Sequence, residues 1–124
     1  MRGNIQFLGL PLIGLLGFVT GCSESRAEDA VKQELTDPDS AQFSNVNSKG
    51  DVVCGLVNSK NRLGGYVGPV GFIVQNGTVL RLMQVNEIFP GADFDRLCPS
   101  ESSHAIMAAH VDRYNREAAE SRGF

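Results

Sequence analysis

An uncharged apolar run, Phe7 to Val19 (FLGLPLIGLLGFV), follows a lone cation at Arg2 and stops at Gly21-Cys22. A short positive segment, an apolar core and small residues at its end have the layout of a secretory signal. The run is about 13 residues long, short of the roughly 20 that a membrane-spanning helix needs, and Gly9, Pro11, Gly14 and Gly17 interrupt it. The pattern predicts an exported chain in which residues 1–21 are a leader and residues 22–124 form one small domain, because what remains after the leader is enough for a single modest core. Charge narrows the field further. The chain holds 11 Lys and Arg against 14 Asp and Glu, a formal charge of −3, and the leader removes one cation and no acid. A domain of that sign lacks the basic surface that phosphate backbones require, so nucleic acid is not an expected partner. At 42% apolar and 20% charged residues, the composition is that of a folded protein.

The four residues that close the leader, Val19-Thr20-Gly21-Cys22, resemble the bacterial lipobox, in which a branched apolar residue and two small residues precede a cysteine that is diacylated and becomes the mature N-terminus. Val rather than Leu at position 19 is a departure from the usual form. The resemblance implies that Cys22 is the lipidation site and that the first partner of the domain is the membrane, reached through its lipid anchor. Two or three acyl chains, at about 0.8 kcal/mol per buried methylene, hold a domain at a bilayer almost permanently. Ser23 follows the cysteine where Asp would favour inner-membrane retention, which points to the outer membrane and a domain facing the periplasm.

With Cys22 assigned to the lipid, Cys54 and Cys98 remain as an even pair in an oxidising compartment, and a disulfide between them is expected. On the chain-entropy account such a bond stabilises a domain of this size by about 4 kcal/mol. There is no C-x-x-C, and His104 and His110 fall on different faces of a helix, so neither a metal site nor a cofactor is expected.

The patterning predicts an α+β fold, a small antiparallel sheet of three or four strands packed against an N-terminal and a C-terminal helix. Ser23 to Leu35 places Ala27, Ala30, Val31 and Leu35 at helical spacing, and Asp37-Pro38-Asp39-Ser40 then reads as a turn. Strands are expected over Ala41–Asn47 and Asp51–Ser59, the second with apolar residues on both faces and hence central. Gly71–Gln75 and Thr78–Met83 flank Asn76-Gly77, a strong two-residue hairpin signal, with Val74 opposite Val79 and Ile73 opposite Leu80. Glu87–Cys98 reads as a loop with one helical turn. The last helix is expected from Ser100 to Ser121, capped by Ser100 or Ser102, with Met107, Val111, Tyr114 and Ala118 as its core stripe and Arg113, Arg116, Glu117 and Glu120 in solvent.

A second resemblance covers about a third of the chain. Asp37-Pro38-Asp39-Ser40-Ala41-Gln42-Phe43, Cys54-Gly55, Val57-Asn58, Lys60-Asn61, Gly64-Gly65-Tyr66, Gly68 and Phe72 are similar to a pattern in small bacterial and phage-borne lipoproteins or secreted proteins. It implies a shared small domain and carries no established activity. Leu56 departs from it, standing where that pattern has an acidic residue.

For function, the polar, glycine-rich stretch Asn58 to Tyr66 is the candidate site. Lys60, Asn61, Arg62 and Tyr66 offer two cations, an amide and an aromatic between strands, suited to an anionic group or a sugar polymer. The sequence has no G-x-S-x-G, H-E-x-x-H, P-loop or dinucleotide turn, and no catalytic residue is assigned. The expectation is a non-catalytic envelope lipoprotein that binds a protein or peptidoglycan partner, for example as an inhibitor or exclusion factor. The alternative is a minimal periplasmic hydrolase using His104 or His110.

Overall fold

The computed structural model describes residues 23–87 and 91–123; the expected leader, Cys22 and Phe89 lie outside them. In chain order, the described part of α1 covers residues 23–32, followed by a 3-10 turn at Pro38–Ser40. Four strands come next, β1 (Gln42–Lys49), β2 (Val52–Asn58), β3 (Val70–Gln75) and β4 (Thr78–Leu82). Two helices, α2 (Ala92–Leu97) and α3 (Ser100–Ser121), complete the described chain. The strands form one antiparallel sheet in the order β1-β2-β3-β4, so the fold is α+β as its patterning predicts.

Both faces of the sheet are covered. Strand alternation sends Val53, Val57, Phe72 and Val74 to one face and Cys54, Leu56, Gly71 and Ile73 to the other. Helix α1 lies on the first face, where Ala27 shares a recess with Val53 and Val74, and the Phe43 ring meets Phe72 edge-on at 5.8 Å. Helices α2 and α3 lie on the second face, where a Cβ on Gly71 would come within 2.8 Å of Ile106 Cγ2 and 3.0 Å of Phe94 Cε1. This double cover is why every residue of β2 before Asn58 is buried. The Cys54–Cys98 disulfide, with Cα atoms 5.7 Å apart, ties the central strand to the segment between α2 and α3.

Three expectations are corrected. Asn76 and Gly77 do take positive φ (50° and 77°) and Val74 pairs with Val79, but a bulge then sets Ile73 opposite Arg81. Leu80 is the extra residue, 49% exposed, because a bulge reverses the alternation beyond it. The stripe of α3 is also shifted around the helix. Met107, Val111 and Tyr114 are 38%, 44% and 56% exposed, whereas Ser102, Ser103, Ile106, His110 and Arg113 are buried. The reason is the space over Gly71: with no Cβ there, the Ile106 side chain seats against β3, and the face that carries Ile106 turns inward with it. Arg113, expected in solvent, belongs to that buried face. Finally, Pro99 is the N-cap of α3 and no side chain caps it; Ser102 instead bonds to the sheet.

A second bulge gives Ser102 its partners. The β1 register shifts between Ser44 and Asn47, with Asn45 at φ 51°. Ser102 Oγ lies 3.0 Å from the Asn45 carbonyl and 3.3 Å from that of Cys54, and it accepts from Asn47 Nδ2 at 3.0 Å. A buried hydroxyl with all its partners therefore links α3 to β1 and β2.

Candidate functional site

The connection between β2 and β3, residues 59–69, has no regular strand or helix, yet its backbone is fixed from inside and from below. Asn58 Oδ1 accepts from Gly68 N at 3.0 Å, Val67 N donates to Ser59 O at 3.2 Å, and Lys60 and Tyr66 form an antiparallel bridge. At the tip, Asn61 N donates to Gly65 O (2.9 Å) and Gly64 N to Asn61 O (3.0 Å). Asn61 Oδ1 takes the amides of Leu63 and Gly65 at 3.0 and 3.2 Å. Gly64 at φ 82° supplies the left-handed residue that this tight reversal needs.

The loop is also bolted to the 3-10 turn. Ser40 Oγ donates to Asp37 O at 2.7 Å and accepts from Lys60 N at 2.8 Å, and the Tyr66 hydroxyl donates to Ser40 O at 3.2 Å. The Lys60 ammonium stands 5.5 Å from the centre of the Tyr66 ring, within cation–π range. Arg113 closes the other end by donating to the Pro69 carbonyl. The two separate stretches of the family-like pattern, Asp37 to Phe43 and Asn58 to Gly68, thus hold each other in place.

Each candidate residue has a definite position in this arrangement. Asn61 spends its side chain on the turn, Lys60 and Tyr66 lean on one another, and Arg62 is exposed at the tip. Beside it Leu63, which periodicity gives no reason to single out, is 94% exposed. Its position between the Asn61 cap and Gly64 is the signal for it, since a residue at the apex of a tight turn has no core to enter. A cleft of ≈ 210 Å³ opens next to the loop, with Leu35, Val67, Val70 and Leu82 in its walls and Lys60 and Glu34 among its polar groups.

The two histidines are not brought together. His110 is buried on the inner face of α3; loss of hydration, and then the neighbouring Arg113, hold its pKa below the ordinary value, with Glu87 and Glu117 pulling the other way. His104 is exposed beside an open cleft that Lys49, Asp95 and Ser103 also line. Ser103 Oγ donates to Asp95, and no hydrogen bond among the described residues joins His104 to either. Among those residues no three His, Cys, Asp or Glu side chains gather so as to hold a metal ion, and no helix is long and apolar enough to cross a membrane.

Comparison with known proteins gives no match to a family model, to a curated protein or to a solved structure.

Proposed function

We propose that this chain is a non-catalytic lipoprotein of the bacterial envelope, held at the outer membrane by acyl chains on Cys22, that binds an envelope protein or a cell-wall polymer through the tip of its β2–β3 loop. The observation that carries the proposal is the pairing of a fixed backbone with unspent side chains. Exposed apolar residues are common on protein surfaces. What sets Leu63 apart is that the backbone beneath it is held by Asn61, Ser40 and Asn58, so little conformational freedom is lost when a partner closes over it. Arg62 and the half-exposed Tyr66 are of the residue types that carry most binding energy at protein interfaces, and Leu63 beside Arg62 adds apolar area to them.

The test is retention of the acylated protein on isolated peptidoglycan sacculi and on crosslinked envelope extracts, comparing wild type with the double variant Arg62→Ala/Leu63→Ser. The variant is expected to unfold within about 0.5 kcal/mol of wild type, as exposed substitutions do, and to lose the partner that wild type retains. Equal retention by the two proteins would overturn the assignment of the site.

A further inference from the structure

Ser23, one peptide bond after Cys22, already belongs to α1, so no linker separates the proposed anchor from the folded domain. Consecutive Cα atoms are about 3.8 Å apart, and the end of the molecule that carries Ser23 is therefore held at the anchored thioether. That end is well defined. Ser23 and Arg26 share a recess with Gly50, Asp51, Asn76 and Gly77, the two tight turns of the sheet. Ser48 Oγ donates to Glu24 at 3.3 Å, and a Cβ on Gly77 would lie 3.4 Å from Arg26 Cδ. From there β2 runs from Val52 to Asn58, about 20 Å, before the β2–β3 loop begins.

Helix α3 points the same way. Ser102 sits at the Cys54 carbonyl, Ile106 over Gly71 and Arg113 at Pro69, which is successively further from the turns. Residues 114–121 continue for about 12 Å more, and none of them is buried. The exposed Met107, Val111 and Tyr114 face outward on the side of the sheet opposite α1, where a tether without a linker does not bring them to the lipid. The turn end offers zwitterionic headgroups a balanced polar surface, the Arg26 and Lys49 cations beside the Glu24 and Asp51 carboxylates, while the exposed apolar side chains Leu63 and Tyr66 lie at the other end.

We infer that the domain stands end-on to the phospholipid bilayer, its Lys49–Asp51 and Asn76–Gly77 turns against the headgroups and its β2–β3 loop and the C-terminal half of α3 at the far end. The partner is then a component of the aqueous phase or of the layer beyond it, and not a protein embedded in the same bilayer. The inference rests on the lipid anchor at Cys22 proposed above.

The chain contains no Trp, so a single introduced Trp is a clean depth probe. Lys49→Trp, Leu63→Trp and Tyr114→Trp, each at an exposed position, are made in the acylated protein and reconstituted into phosphatidylcholine vesicles with and without nitroxide-headgroup lipid. Emission from Lys49→Trp is expected to fall about twofold, while Leu63→Trp and Tyr114→Trp, about 20 Å or more from the headgroups, keep theirs. Quenching of Leu63→Trp or Tyr114→Trp to the same degree as Lys49→Trp overturns the orientation. Failure of the protein to float with vesicles defeats the lipid anchor separately. In that event, coupling the Cys22 thiol to a maleimide phospholipid puts the same three probes through the same comparison, with the same order of quenching required.

Discussion

Replacing Ser102 with Ala measures how firmly α3 is held to the sheet. The Ser102 side chain is 0% exposed and its hydroxyl is shared among three partners, the carbonyls of Asn45 and Cys54 and the Asn47 amide. Alanine keeps the Cβ, so little packing volume is lost and the cost is polar. Asn47 Nδ2 retains a bond to Asn45 O at 3.2 Å, but neither carbonyl keeps the donor that Ser102 brings. A buried group left short of a partner costs about 1–3 kcal/mol. For a domain of this size that corresponds to a fall in Tm of about 5–20 °C. Thermal and urea unfolding of the oxidised protein, followed by far-ultraviolet circular dichroism, give both numbers. Ser100→Ala, on the exposed first residue of the same helix, is the control and is expected within about 0.5 kcal/mol of wild type. Equal midpoints for Ser102→Ala and wild type, or a larger loss at Ser100, would refute the reasoning.

Gly71→Ala places a methyl group 2.8 Å from Ile106 Cγ2 and 3.1 Å from Met83 Sδ; overpacking of this kind costs about 1–3 kcal/mol, read as a lower urea midpoint, and an unchanged midpoint would mean that α3 sits further from β3 than described. Because burial and Arg113 lower the pKa of His110, the unfolded chain takes up that proton first as pH falls; stability is complete above about pH 6.5 and declines below it, and His110→Gln should flatten this acid limb in urea titrations. Opening the Cys54–Cys98 bond, whose cysteines are 44 residues apart, should lower stability by about 4 kcal/mol; alkylation without reductant followed by intact-mass analysis should find neither of these two thiols modified.

The sheet was readable from the chain because its signals are local and redundant. Val52 to Val57 is apolar on both faces, which only a doubly covered strand requires, and Asn76-Gly77 leaves few alternatives to a hairpin. The limits expected for α3, Ser100 to Ser121, match those observed, although Pro99 and not a serine stands at its N-cap. The orientation of α3 was not readable from hydrophobicity. Its best apolar stripe, Met107-Val111-Tyr114, turns outward because the gap over Gly71 takes Ile106, from a different face of the helix. A glycine inside an apolar strand together with Ser102, Ala105 and Ala109 on one helical face is the pattern that marks such an approach, and it is visible only when two distant segments are read together. The hairpin register shifted for a related reason, since a bulged residue such as Leu80 carries no distinctive composition. In the loop, residue types single out a segment but do not reveal which of its side chains the fold itself uses. Asn61 and the backbone of Lys60 hold the turn together, and Leu63 is the side chain left over.

The account depends most on Cys22. The direct measurement is metabolic labelling of the wild-type chain and of Cys22→Ala with a clickable fatty acid, followed by intact-mass analysis of the membrane fraction. Wild type should carry label and have the mass of an acylated chain beginning at residue 22, while Cys22→Ala should accumulate as an unlabelled precursor. Equal labelling of the two proteins, or an unmodified wild-type chain, would contradict the lipoprotein assignment.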